Sequence, residues 1–176
     1  MEIIIGSIVV VALILLFIVI MHNRFQFAII DMEEAENNID ILLHKKLELL
    51  NRTIPIVKKE IKIDSFLDNL VDKKDNSLNL FELNNLLKKE SEEFFKVIDE
   101  NDKLLKSETL SSIIDDIDSN EIDLTAAIKF YDDSVVLFNK LVSSFPSCIL
   151  AFFKRYKKKS FYSSENKEIF DILNDK

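Results

Sequence analysis

From Ile3 to Met21 the chain carries no charge, and fifteen of these nineteen residues are Ile, Leu, Val or Phe. A helix of this length rises roughly 28 Å at ~1.5 Å per residue, close to the thickness of a bilayer's hydrocarbon core. At ~0.3–0.6 kcal/mol per apolar residue, insertion is favoured by roughly 5–9 kcal/mol, which Gly6 and Ser7 cannot reverse. A cleaved signal peptide fits less well, because no basic segment precedes the run and no small-x-small site follows it. A buried core helix fits less well too, because this run has no polar face to show solvent. The sequence therefore predicts a membrane anchor over residues 1–22, with the span at about 3–21, and a separate helical body over residues 23–176. Arg24 follows the span while only Met1 and Glu2 precede it, so the positive-inside rule places the body in the cytoplasm.

One Gly, two Pro and no Trp leave the body few turn residues, which argues for long helices and few loops. Apolar spacing supplies the architecture. Phe25, Ala28, Met32, Ala35, Ile39 and Leu42 alternate three and four apart. The stripe then slips by one to Leu43, Leu47, Leu50, Ile54, Val57 and Ile61. No Gly or Pro lies between Gly6 and Pro55, so the span is predicted to run straight into the first body helix, with a bend at Pro55. Asp72 to Ser77 predicts a turn, with Asp75, Asn76 or Ser77 as N-cap. A second helix is predicted from about Ser77 to Leu105, using Leu80, Leu83, Leu87, Phe94, Ile98 and Leu105, with Lys88 to Glu93 as a solvated face. Ser107 is predicted to cap a third helix that Pro146 stops. Its seam is Leu110, Ile113, Ile117, Leu124, Ile128, Tyr131, Val135, Phe138, Val142 and Phe145, with the polar Asn120 among them. A short apolar piece, Cys148 to Phe153, and a last helix from Ser163 or Ser164 to near Leu173 complete the reading. The expected fold is all-α: an N-terminal transmembrane helix followed by an antiparallel up-down helical bundle with long helices.

Several chemistries are disfavoured. A net charge of −8 opposes nucleic-acid binding, which needs a basic face. Gly6 is the one glycine, so neither a phosphate loop nor a dinucleotide fingerprint can form. His22 and His44 lie far apart on one helix, and Cys148 is the one thiol, so no metal site, cofactor or disulfide is expected. The pairs Glu33–Glu34, Glu92–Glu93 and Asp115–Asp116 are adjacent on helices and read as solvated faces, not acid–base pairs. Cys148 reads as a buried structural thiol. The sequon Asn51-Arg52-Thr53 falls within a predicted helix and reads as chance.

Phe152 to Tyr162 stands apart, because it interleaves aromatics with cations on an otherwise acidic chain. Three readings are open. Its aromatics plug the end of the bundle while the lysines are solvated; it lies on an anionic leaflet; or it docks on an acidic partner patch. The candidate contact residues are Lys154, Arg155, Lys157, Lys158 and Lys159.

Two blocks carry a family resemblance. The first holds Asn23-Arg24-Phe25, Ala35, Ile39-Asp40, Leu43, Lys45-Lys46, Glu48-Leu49-Leu50 and Val57-Lys58. The second holds Phe130-Tyr131-Asp132, Val135, Asn139, Phe145-Pro146-Ser147, Ala151 and Phe153. Together they resemble the bacterial LemA family, whose members have one N-terminal span and a helical bundle. There are departures. Asn51 stands where the family has Pro, so the expected bend moves to Pro55; Asp132 and Cys148 each replace an Asn; Arg155-Tyr156 stands where the family has Gly-Phe. The resemblance implies no catalytic residues. It implies that Tyr131, Asn139 and the Phe-Pro-Ser turn lock the C-terminal segment onto the bundle. A magnetosome-membrane relative hints at assembly roles.

The function expected is a non-enzymatic interaction or scaffold protein at the bacterial inner membrane, with a membrane or cytoplasmic protein partner and no cofactor. The alternative is a structural protein that self-assembles as a homo-oligomer and touches anionic lipid through its basic-aromatic segment.

Overall fold

The chain's computed structural model describes residues 1–61, Leu67 and residues 79–162. Every regular element among them is a helix: α1 (Glu2–Ile61), α2 (Leu80–Asp99), α3 (Asp102–Leu105), α4 (Glu108–Ser143) and α5 (Ser147–Lys154). The side chains of Ile61 and Leu105, the turn at 72–77 and the last helix expected beyond Ser163 lie outside the described residues.

The apolar run and the first body helix are one element. α1 passes through residues 22–25 without a break, and Pro55 sits inside it without ending it. This 60-residue helix needs no cap where its apolar part meets its amphipathic part, because the helix continues through that junction. None of the most apolar window of α1 is covered by protein.

Packing divides the chain into two compact units, Met1–Glu36 with Ile128–Lys176, and Asn37–Ala127. The core of the first unit joins Phe25, Ala28 and Met32 of α1 to Val135, Phe138 and Leu141 of α4 and Ala151 of α5. Here α1 and α4 run antiparallel: Phe25 meets Phe138 edge-on at 5.8 Å, while Glu36, three turns further on, acts on Tyr131. In the second unit Leu42, Leu43, Leu49, Leu50, Ile54 and Val57 are buried, as are Leu83, Leu87, Phe94 and Ile98 of α2 and Leu110, Ile113, Ile117 and Leu124 of α4. The one-residue slip of the stripe at Leu42 and Leu43 is real, since both are buried.

Helix ends follow side-chain chemistry. Asn79, not a residue of 75–77, caps α2: its Oδ1 accepts from the Glu82 amide at 2.9 Å, and the Glu82 carboxylate accepts from the Asn79 amide at 3.3 Å. This reciprocal pair satisfies two donors that a bare helix end would orphan. The second predicted helix is interrupted at Glu100 and Asn101. There the Asn101 side chain donates to the Val97 carbonyl at 2.7 Å and competes with helix continuation. Ser107 caps α4 as expected, its hydroxyl accepting from the Leu110 amide at 3.4 Å.

One polar group in the second unit rewards the pattern and three correct it. Asn120 is fully buried in the seam, and its Nδ2 donates to the Leu42 carbonyl at 3.1 Å. Lys46 was not legible as a core residue, yet its side chain is 3 % exposed and its ammonium meets the half-exposed Glu121 carboxylate at 2.6 Å. The face from Lys88 to Glu93 is solvated only in part, because Glu90 and Ser91 are buried. The Ser91 hydroxyl turns back to the Leu87 carbonyl at 2.7 Å, which lets a polar residue sit inside.

Removing the acid at Glu121 leaves the buried Lys46 ammonium without its carboxylate. We expect Glu121→Ala to cost about 1–3 kcal/mol and Lys46→Met, which keeps the apolar stem, to cost less. Chemical denaturation of the full chain in detergent micelles measures both, and equal costs would contradict the pairing.

Candidate functional site

The segment that carries the sequence's unusual chemistry, α5 and residues 155–162, lies wholly in the first unit. Its placement begins at the Phe-Pro-Ser turn. The Ser147 hydroxyl is buried and donates to the Leu141 carbonyl at 2.7 Å, with the Ser144 carbonyl 2.9 Å away. Leu141 lies in the last turn of α4, where helix carbonyls lose their in-helix donors, and the Ser144 carbonyl, just past that turn, also accepts from the Cys148 amide at 2.8 Å. The turn thus sends α5 off at 94° to α4.

α5 closes with Arg155 in the left-handed conformation, at φ 55° and ψ 33°. This is the position that glycine fills at many helix ends, since a side chain there costs about 1 kcal/mol. The Gly-Phe of the resembled family fits this geometry: residue 155 makes the left-handed turn and residue 156 enters the core. Here Arg155 accepts the strain and Tyr156 supplies the ring, 5.1 Å from Phe25 and 5.7 Å from Phe138. The Tyr156 hydroxyl accepts from the Gln26 amide at 3.4 Å.

Beyond Tyr156 the chain returns along α4 as a strap. Asn139 holds it with both ends of its amide. Nδ2 donates to the Lys159 carbonyl at 2.9 Å, and Oδ1 accepts from the Lys159 amide at 2.8 Å. Further on, the Tyr162 amide donates to the Asp132 carboxylate at 2.7 Å, and the Tyr131 and Tyr162 rings meet edge-on at 6.0 Å. Tyr131, Asn139 and the Phe-Pro-Ser turn therefore do lock the C-terminal segment down. Asp132, a departure from the family pattern, works as an acceptor where Asn would also serve.

All five candidate contact residues, Lys154, Arg155, Lys157, Lys158 and Lys159, are exposed. With Met32, Glu33, Glu36 and Tyr131 the last four border an open cleft of about 580 Å³, basic on the strap side and acidic on the α1 side. The plugging role expected of the aromatics holds for Tyr156 and Phe161, which pack on the core. It fails for Phe152 and Phe153, which face outward from α5. Phe145 also leaves the seam assigned to it, because α4 ends at Ser143 and the turn carries its ring outward. Cys148 is half-buried rather than buried.

The paired carboxylates at 33–34, 92–93 and 115–116 are exposed on helix surfaces. Among the described residues no cluster of three or more His, Cys, Asp or Glu is arranged to hold a metal. Thr53 of the sequon is buried, its hydroxyl bonded to the Leu50 carbonyl at 2.7 Å.

The model of the LemA family matches the chain over residues 35–171. No curated protein and no solved structure matches the chain.

Asn139→Asp removes the amide that donates to the Lys159 carbonyl and sets a carboxylate oxygen against it. The strap should loosen, so that the Lys159 amide exchanges with solvent at least tenfold faster while helix content is unchanged; hydrogen exchange with mass spectrometry reads this. Burial raises the Tyr131 phenol above its ordinary value, and the carboxylates of Glu36 and Asp132 push it the same way. A folded-state value above the unfolded one means this stabilisation is whole below the unfolded value and is lost as pH rises through the folded one. Ultraviolet titration should show a late tyrosine step, and Tyr131→Phe should delete it.

Proposed function

The chain belongs to the LemA family, and on that footing we propose that it is a single-pass, membrane-anchored, non-enzymatic scaffold of the bacterial inner membrane with its helical body in the cytoplasm. One observation carries the reading. The N-terminal part of α1 is long and apolar enough to cross a membrane, and none of its most apolar window is covered by protein. An apolar surface of that extent is not left to water in a soluble monomer. Lipid satisfies it on all sides.

What the body offers beyond the anchor is surface. Its long helices expose many charged side chains to solvent, which supports a role in binding other proteins. The exposed Arg24 at the end of the run supports the cytoplasmic placement through the positive-inside rule. The exposure of Lys154, Arg155, Lys157, Lys158 and Lys159 supports a second reading, a self-assembling structural protein that touches anionic lipid. Chemical crosslinking in native membranes separates the two: discrete heterologous partners support the scaffold, and a ladder of homo-oligomers supports self-assembly.

Anchoring itself has an energetic test. Leu13→Arg with Leu16→Arg adds about 5–7 kcal/mol of insertion cost, comparable with the whole gain from the run. The doubly substituted protein should move from the membrane pellet to the supernatant on alkaline carbonate extraction, while the natural protein stays in the pellet. Extraction of the natural protein would contradict anchoring.

A further inference from the structure

Apart from the apolar run of α1, the most exposed large apolar side chains among the described residues gather at one place. Phe145, Phe152 and Phe153 stand 82, 81 and 76 % exposed, with Ile149 beside them at 50 %. Ile149, Phe152 and Phe153 fall three and four apart on α5 and so share one face. Ser147 and Ala151, four apart on the opposite face, are buried. α5 is therefore amphipathic in an inverted sense: its small residues pack on the protein and its largest apolar residues point away. On the buried face the Ser147 hydroxyl bonds the carbonyls of Leu141 in α4 and of Ser144 in the turn, which holds the helix with its phenylalanines outward.

The place of this face within its unit says what covers it. Ala151 shares a core with Phe25 and Ala28, which lie within two helical turns of Met21, the end of the apolar run. Partial cover on α1 starts inside the run itself, at Phe17 and Met21. α5 thus sits where the run emerges from lipid. In this unit α4 runs antiparallel to α1, and α5 turns from α4 by 94°, so α5 lies crosswise to the run. A helix crosswise to a membrane span, at the level where the span ends, lies along the membrane surface. Its charge fits that setting. The apolar face ends in Lys154 and Arg155, and Lys157, Lys158 and Lys159 follow on a chain that is otherwise acidic. Long basic side chains reach phosphates while apolar neighbours sink below them.

We propose that α5 is an interfacial membrane helix: Phe145, Ile149, Phe152 and Phe153 sink into the headgroup–acyl boundary of the bilayer that α1 crosses, and the cations that follow hold anionic headgroups. The proposal rests on the membrane anchoring put forward above and deepens it. It shifts the main lipid contact from the lysines to the phenylalanines. The helix becomes a second foot beside the span, one that fixes the unit's rotation about α1 as well as its depth.

The full chain in nanodiscs of phosphatidylcholine and phosphatidylglycerol provides the test. In a Cys148→Ser background, an environment-sensitive fluorophore is attached at Phe152→Cys. Leu13→Cys serves as the lipid reference and Asp133→Cys, an exposed site on α4, as the water reference. The Phe152 site should emit blue-shifted light, be quenched by nitroxides carried near the lipid headgroups, and be quenched by aqueous iodide several-fold less than the Asp133 site. Iodide quenching equal to that at Asp133, with Leu13 still in lipid, overturns the proposal and leaves the anchor standing. A Leu13 site open to iodide overturns both. Protection of the Phe152 site from both quenchers means protein covers the face, and that result also overturns the proposal. Circular dichroism of each labelled protein confirms that its helices are intact.

Discussion

Phe25 is the hinge of the first unit's packing. It is the first fully buried residue after the apolar run, and three parts of the chain meet on it. Its own helix brings it one turn past Met21, α4 supplies Phe138 against its edge, and the segment after α5 supplies Tyr156. Aromatic contacts of this kind are worth roughly 0.5–1.5 kcal/mol each beyond the area they bury. Their larger effect is positional. With Phe25 held at the end of the run, α5 has only the space beside that end, and the strap has only the groove along α4.

Polar groups then specify what the apolar stripe leaves open. A stripe of Leu and Ile can slide by a turn at little cost, whereas a buried amide cannot. Asn139 reads the backbone of Lys159 with donor and acceptor together, so the strap has one register. Asn120, in the second unit, donates through Nδ2 alone to the Leu42 carbonyl. Lys46 gives up hydration to meet Glu121 and retains its carboxylate only in that alignment.

Much of this was legible in the sequence, and for physical reasons. The first stripe, from Phe25 to Leu42, is buried at every position because a three-four spacing on one helix can face only one way. Pairing of Tyr131, Asn139 and the Phe-Pro-Ser turn with the C-terminal segment followed from motif residues whose chemistry suits capping. Positions that depend on tertiary partners were not legible. Lys46 and Glu90 are buried although their residue types favour water, and for Lys46 it is the Glu121 carboxylate of α4 that reaches it. The break at Asn101 depends on one side chain's local bond, and the outward turn of Phe145, Phe152 and Phe153 depends on how Ser147 grips α4. A periodicity argument assigns every apolar residue to a core, and it has no means of recognising a face meant for a different solvent.

In the proposed reading this LemA-family chain is solvated by two media, with one continuous helix passing between them. Its body carries charge for water, and its anchor and the neighbouring face of α5 carry hydrocarbon for lipid. Solid-state NMR of the full chain in aligned bilayers, with nitrogen-15 in the backbone of Val9, Val10 and Val11, tests the central claim most directly. The account predicts amide shifts near the parallel limit, as for a helix standing along the bilayer normal. Shifts near the perpendicular limit, or an isotropic signal from chain in solution, would contradict it.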